Sequence, residues 1–134
     1  MGEENTKKEI GDKMPDGTIY AGISPDTGKP MYALPADADM TMTFNQAKEY
    51  AAEVADAKGN KGFHIPSKAE LDVLFQNREK GALKGTFNLN SFVSADLYWS
   101  STLNRGGMTW QQAFFDGGHP TISRIYEVSV RCVR

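Results

Sequence analysis

Apolar positions first recur at a fixed spacing only after residue 13. Residues 1–13, "MGEENTKKEIGDK", are polar and charged without a period, which predicts a flexible polar arm or a segment ordered only by a partner. Residues 14–134 then form a single domain. In "MPDGTIYAGISPDTGK", two turn signals, Pro15-Asp16-Gly17 and Pro25-Asp26-Thr27-Gly28, bracket the strand "TIYAGIS". "PMYALPADA" beyond the second turn completes a hairpin. The rhythm next changes to a helical one. In "TMTFNQAKEYAAEVADAKGNKG", Thr43 and Gln46 have capping-box spacing, Ala47, Tyr50, Ala51 and Val54 share a face, and Gly59 supplies the stop. Its five alanines make that face thin enough to pack close to a sheet. In "IPSKAELDVLF", Ser67 and Glu70 form a second capping box ahead of Leu71, Leu74 and Phe75, with Gly81 or Gly85 ending the element.

The remainder has strand character. "YWSST", "MTWQQAFFD" and "RIYEVSVRCV" are separated by the glycine turns "NRGG" and "DGGHPT". In the last of these, Tyr126, Val128, Val130 and Cys132 alternate with Glu127, Ser129 and Arg131, which predicts a half-buried strand. In "MTWQQAFFD", alternation sends Trp110 and Gln112 to one side and Gln111 to the other. Hairpin, two helices and then three strands is an α+β order. Pairing of an N-terminal strand with the C-terminal one would bring the ends of the chain together.

Composition narrows the function classes. The chain has 134 residues, 40% hydrophobic and 24% charged, enough for one sizeable core. A net charge of −2 argues against binding nucleic acid through its phosphates. No run approaches the roughly 18 apolar residues of a membrane span, so no membrane insertion is expected. The opening residues hold no apolar signal-peptide core. That start favours a protein assembled in the cytosol, or in a particle built there, over a secreted surface protein. Cys132 is the only cysteine, so no intrachain disulfide forms, and its place among valines predicts an inert core thiol.

"GFHIPSKAELDVLF", "YWSST", "AFFDGG" and the ending "VRCVR" occur in that order. Together they resemble the bacterial Lcl C-terminal domain family, which is related to the C-type-lectin-like superfamily. The family pattern reads roughly "WRLPTKAEL…YWSST…F..G…VRCVR", and Phe63-His64-Ile65-Pro66-Ser67 stands where it has "WRLPT". The match runs from about residue 40 to residue 134. This resemblance implies a C-type-lectin-like fold, with two helices flanking small antiparallel sheets and a long C-terminal loop region that carries the ligand contacts. The aromatics would anchor an inner sheet while the glycines shape the loops between its strands.

Several chemistries fail on residue type. The calcium-lectin motifs Glu-Pro-Asn, Gln-Pro-Asp and Trp-Asn-Asp are absent, and Asp116 is the only acidic residue between Tyr98 and Thr121. Calcium needs six to eight oxygen ligands. The formylglycine-generating branch of the superfamily uses two active-site cysteines, and this chain has one. His64 and His119 with one cysteine do not make a zinc cluster. His64, just ahead of the second helix, reads as structural. His119, in "GGHPT", reads as a turn residue that could reach a ligand. Ser100 and Ser101 in "WSST" read as hydroxyls satisfying backbone groups at a strand edge. Neither a catalytic residue nor a cofactor or metal is expected. Trp99 is assigned to the core, and Trp110 is left open between core and surface.

What remains are the polar and flexible residues around the two Gly-Gly turns. The candidate ligand-binding set is Asn104, Arg105, Met108, Trp110, Gln111, Asp116, His119, Thr121 and Arg124, since aromatics and arginines are enriched in binding anchors. The expectation is a non-catalytic recognition or assembly module that binds a protein or glycan without calcium. A phage or prophage virion component (tail, fibre or decoration) would suit it, its partners then being other virion or surface-assembly proteins. The alternatives are a bacterial surface adhesin domain and a purely structural packing subunit.

Overall fold

The N-terminal hairpin is built from β1 (Ile19–Ile23) and β2 (Pro30–Ala33), antiparallel and interrupted by a bulge between Tyr20 and Gly22. A computed structural model describes residues 8–57, 59, 62–88, 97–104, 106–122 and 126–134, the side chains of 121 and 122 excepted. Helix α1 (Phe44–Ala57) starts at the expected box: Thr43 N donates to Gln46 Oε1 at 2.9 Å, and Gln46 N to Thr43 Oγ1 at 3.3 Å. Helix α2 (Lys68–Gln76) has the reciprocal Ser67–Glu70 box. β3 (Leu97–Leu103), β4 (Thr109–Ala113) and β5 (Thr121–Ile122) form a three-stranded antiparallel sheet in that order. The fold is thus a small α+β arrangement of two helices and two small antiparallel sheets.

Two apolar clusters flank β3, because its pleat sends consecutive residues to opposite sides. Tyr98 packs with Phe114, Phe87, Leu71, Leu74 and the hairpin residues Ile19, Met31 and Ala33. Its ring lies 4.4 Å from that of Phe114, centroid to centroid. Trp99 enters the other cluster, with Phe44, Ala47 and Ala51 of α1 and with Phe63, Ile65, Val128 and Val130. It meets Phe44 edge-on at 5.5 Å and donates its indole N–H to Met42 O at 2.8 Å. Trp99 is therefore a core residue.

The C-terminal segment departs from the expected half-buried strand. Residues 126–134 make single bridges instead: Val128 to Met42, Ser129 to Tyr98, and Val133 to both Ala33 and His64. Backbone bonds from Tyr32 N to Arg134 O and from Leu34 N to Cys132 O tie the segment to the end of β2. Because neighbours close on both sides, residues 128–133 are all buried, the expected outward pair Ser129 and Arg131 included, while Tyr126 is 59% exposed. Period-two alternation describes a strand with one wet face, and this segment has none.

The N-terminal arm is also shorter than its polarity suggests. Gly11 is buried, its N–H bonds Tyr20 O at 2.8 Å, and its carbonyl accepts from Ala82 N at 2.8 Å. The backbones of Gly11 and Gly81 abut so closely that a Cβ on Gly11 would lie 2.6 Å from Lys80 O. Ile10 packs on the Tyr98 cluster. Residues 8–13 thus belong to the folded body, and residues 1–7 of the expected arm lie outside the described residues.

Arg131, 1% exposed, joins these parts. Its Nε donates to Asp37 Oδ1 at 2.9 Å, Nη1 to Leu34 O and Thr86 Oγ1, and Nη2 to Thr86 O. The guanidinium also lies 4.1 Å above the centre of the Phe87 ring. Tyr98 Oη donates to the second Asp37 oxygen at 2.6 Å. Removing one partner of a buried ion pair strands the other charge, at a cost of about 3 kcal/mol or more. Arg131→Met is therefore expected to lower unfolding stability by about 3 kcal/mol in a urea titration, with Asp37→Asn smaller because Tyr98 still bonds the amide. A loss under about 1 kcal/mol for Arg131→Met would refute this account.

Candidate functional site

The Ser67 cap and the first turn of helix after it set the geometry on the outer face of α2. Ser67 caps the helix, Lys68 N donates to Thr102 Oγ1 of β3 at 2.9 Å, and Lys68 Nζ stands 3.9 Å over the Trp110 ring. One turn on, Asp72 Oδ1 accepts from Gln112 Nε2 at 2.9 Å and lies 3.9 Å from His119 Nε2. The same Gln112 amide bonds Gly117 O at 3.2 Å. A Cβ at Gly117, whose φ is +84°, would sit 2.6 Å from the Phe75 ring, so the turn that carries His119 packs directly on α2. The result is a groove of about 430 Å³ lined by Asp26, Ser67, Lys68, Ala69, Asp72, Thr102 and His119, with Trp110 beneath Lys68.

The expected site residues divide sharply against this geometry. Trp110 is half-buried beside the groove and His119 lines it. Asn104 instead shapes its own loop, its Oδ1 accepting from Gly106 N at 2.8 Å and Met108 N at 3.0 Å. Asp116 does the same for Gly118 N at 2.9 Å. Met108 is half-buried in the β3–β4 turn. Gln111 is a correction: it is fully buried opposite Trp99 in the sheet register. It faces away from α2, with neither amide atom hydrogen-bonded, as does the buried Thr109 Oγ1. Thr121 pairs with Trp110 through its backbone, and its side chain, like all of Arg105 and Arg124, lies outside the described residues.

Sequence reasoning missed Asp26, Ser67, Lys68, Asp72 and Thr102. The i, i+4 spacing of Lys68 and Asp72 was there to be read as one helix face. No local signal says which strand that face meets.

A second polar cluster lies behind α2. Glu70, 4% exposed, accepts from Ser24 Oγ at 2.7 Å and from Ser67 N at 3.0 Å, and its Oε1 lies 3.0 Å from His64 Nε2. Burial works against its charge, but the bonds from His64, Ser24 and Ser67 hold its carboxyl down at about 2. His64 Nδ1 is 2.7 Å from Gly62 O. Both ring nitrogens thus face acceptors, which the doubly protonated imidazole alone satisfies. The Glu70 hydrogen bond accordingly raises the His64 pKa, against the pull of desolvation. Burial pushes the Cys132 thiol up to about 12, so it stays protonated at neutral pH. Ser100 donates to Trp110 O, satisfying a backbone acceptor.

Among the described residues no group of three or more His, Cys, Asp or Glu side chains is placed to hold a metal ion. No described helix is long and apolar enough to cross a membrane. No protein-family model matches the chain, and no curated protein matches it either.

The raised His64 pKa has a definite sign. Its contribution to stability is fully present below the ordinary histidine value of 6.5 and is lost as pH rises through the higher folded value. Melting temperature is expected to fall as pH climbs past 6.5, and His64→Gln should flatten that step. An unchanged step in His64→Gln would assign the pH dependence elsewhere.

Proposed function

We propose that this chain is a non-catalytic recognition module that takes a glycan, or a polar protein surface, in the groove between α2 and the His119 turn. The observation that carries the reading is the convergence there of two carboxylates (Asp26, Asp72), an ammonium (Lys68), two hydroxyls (Ser67, Thr102) and an imidazole (His119) beside a half-buried indole. Sugar hydroxyls need donors and acceptors at close intervals, and an aromatic edge shields their C–H faces. The resemblance to the Lcl C-terminal domain supports the same reading. Its motifs are neighbours in space, since His64 of "GFHIPS" pairs with Val133 of "VRCVR". The setting we attach to it is a phage or prophage particle, with a surface adhesin as the alternative.

A glycan array probed with the full chain tests this. The best-binding glycan should lose about tenfold in affinity in Asp72→Asn, since one charged hydrogen bond is worth about 1.4 kcal/mol or more. Trp110→Ala should lose as much. An array with no signal from folded protein overturns the glycan reading. Phe115 and Tyr126, 57% and 59% exposed, favour a second reading, the packing subunit. A defined oligomer by light scattering that dissociates in Phe115→Ser or Tyr126→Ser would select it.

A further inference from the structure

A second groove, of about 590 Å³, opens on the other side of β3. The pleat separates the two: Thr102 lines the first, Ser101 and Leu103 the second. Its walls are Phe44 of α1, Phe63, Ile65 and Leu103, the last 49% exposed. Ala51 and Ala52 keep the facing side of α1 low, so the space between helix and strand is not filled by larger side chains. An open apolar trough of this size lies within the roughly 300–1,000 Å³ of small-molecule sites.

Its one cation without an ion-pair partner among the described lining residues is Lys48. Among the described residues, the ionisable side chains lining it are Lys48 and His64, with no carboxylate, although the chain as a whole has a net charge of −2. Lys48 Nζ stands 5.5 Å from the centre of the Phe44 ring, at the edge of the trough. The partner of His64, Glu70, has only 5% of its side chain exposed and is spent on His64, Ser24 and Ser67. His64 has both nitrogens engaged by Gly62 O and Glu70. With the Glu70 carboxylate 3.0 Å away offsetting its charge, His64 contributes no free hydrogen bond, leaving Lys48 and the exposed Ser101 hydroxyl as donors.

We infer that this groove binds a small amphiphilic monocarboxylate, an aliphatic acid of medium chain length. Its tail lies along Phe44, Phe63, Ile65 and Leu103, and its carboxylate meets Lys48 and Ser101. An apolar tail needs a desolvated trough, and a single anionic head needs a cation with no competing carboxylate beside it. The inference does not rest on the glycan groove, which lies on the opposite side of β3.

Decanoate titrated into ¹⁵N-labelled full chain at up to about 1 mM, a range that detects weak sites, provides the test. Amide shifts are expected to cluster at 44–52, 63–65 and 101–103. Lys48→Glu, a change on the solvent side of a helix, should weaken binding about tenfold, a loss of about 1.4 kcal/mol. Trp110→Ala should leave it unchanged, which separates this site from the proposed glycan groove. 1-Decanol, with the same tail and no charge, should bind at least tenfold more weakly. Shifts that are absent or map elsewhere overturn the inference. So does decanol binding as well as decanoate, or Lys48→Glu binding as tightly as the parent.

Discussion

A guanidinium withdrawn from water is costly unless every direction it faces supplies an acceptor or an aromatic face. Arg131 meets that demand with Asp37, Leu34 O, both oxygens of Thr86 and the Phe87 ring. Those partners come from the loop after β2, from the segment after α2 and, through Asp37, from Tyr98 on β3. Much of the architecture follows from that requirement. Burial raises the Asp37 pKa while Arg131 pulls it down, so charge and position are coupled there. With Arg131 fixed, the C-terminal segment is held between the hairpin and β3, and Val128, Val130 and Cys132 fall into the Trp99 cluster.

That placement makes β3 a partition. Tyr98 and Thr102 serve the α2 side, Trp99, Ser101 and Leu103 the α1 side. The α2 side is polar where it opens, because the start of the helix presents Lys68 and, one turn on, Asp72 to Thr102 on β3 and to Trp110 and Gln112 on β4. The α1 side is apolar where it opens, because alanines give the helix no bulk to close the gap. One strand thus divides two surfaces of unlike chemistry, and the difference comes from which helix face each one meets.

The hairpin and the two helix starts were legible because their signals are local, whereas α2 ends at Gln76 and not at Gly81 or Gly85, and the last strand of the sheet is Thr121–Ile122, which begins in the expected "DGGHPT" turn. A capping box spans four residues, and Ser67 and Glu70 behave as such a box should. What lay beyond reach was the second use of the same side chain: Glu70 also holds His64 and Ser24, contacts set by the hairpin's approach to α2. "VSVRCVR" misled for a related reason. Alternation reports one buried face, whereas this segment is enclosed on both, and the anomaly visible in advance was an arginine inside an apolar run. In β4, alternation separated Trp110 and Gln112 from Gln111 as the structure does. Including Gln111 among the ligand contacts ran against that alternation. Polarity beside a Gly-Gly turn makes Asn104 and Asp116 candidates for ligand contact, yet short polar side chains in glycine turns commonly bond their own backbone, as these do.

Among the described residues, Cys132 and Ser100 are occupied by the fold. Cys132 is buried and protonated, and Ser100 is tied to a strand carbonyl. Ser101 shares a groove with His64, but an imidazole whose two nitrogens both donate has no lone pair with which to take the serine proton. His119 has a free approach to solvent, and the group facing it is Asp72, itself held by Gln112. The two hydroxyls that share the groove with this 3.9 Å pair serve the start of α2, Ser67 Oγ accepting from Glu70 N and Thr102 Oγ1 from Lys68 N. What the surface leaves open are donors, acceptors and apolar walls, which supports reading both grooves as places of recognition.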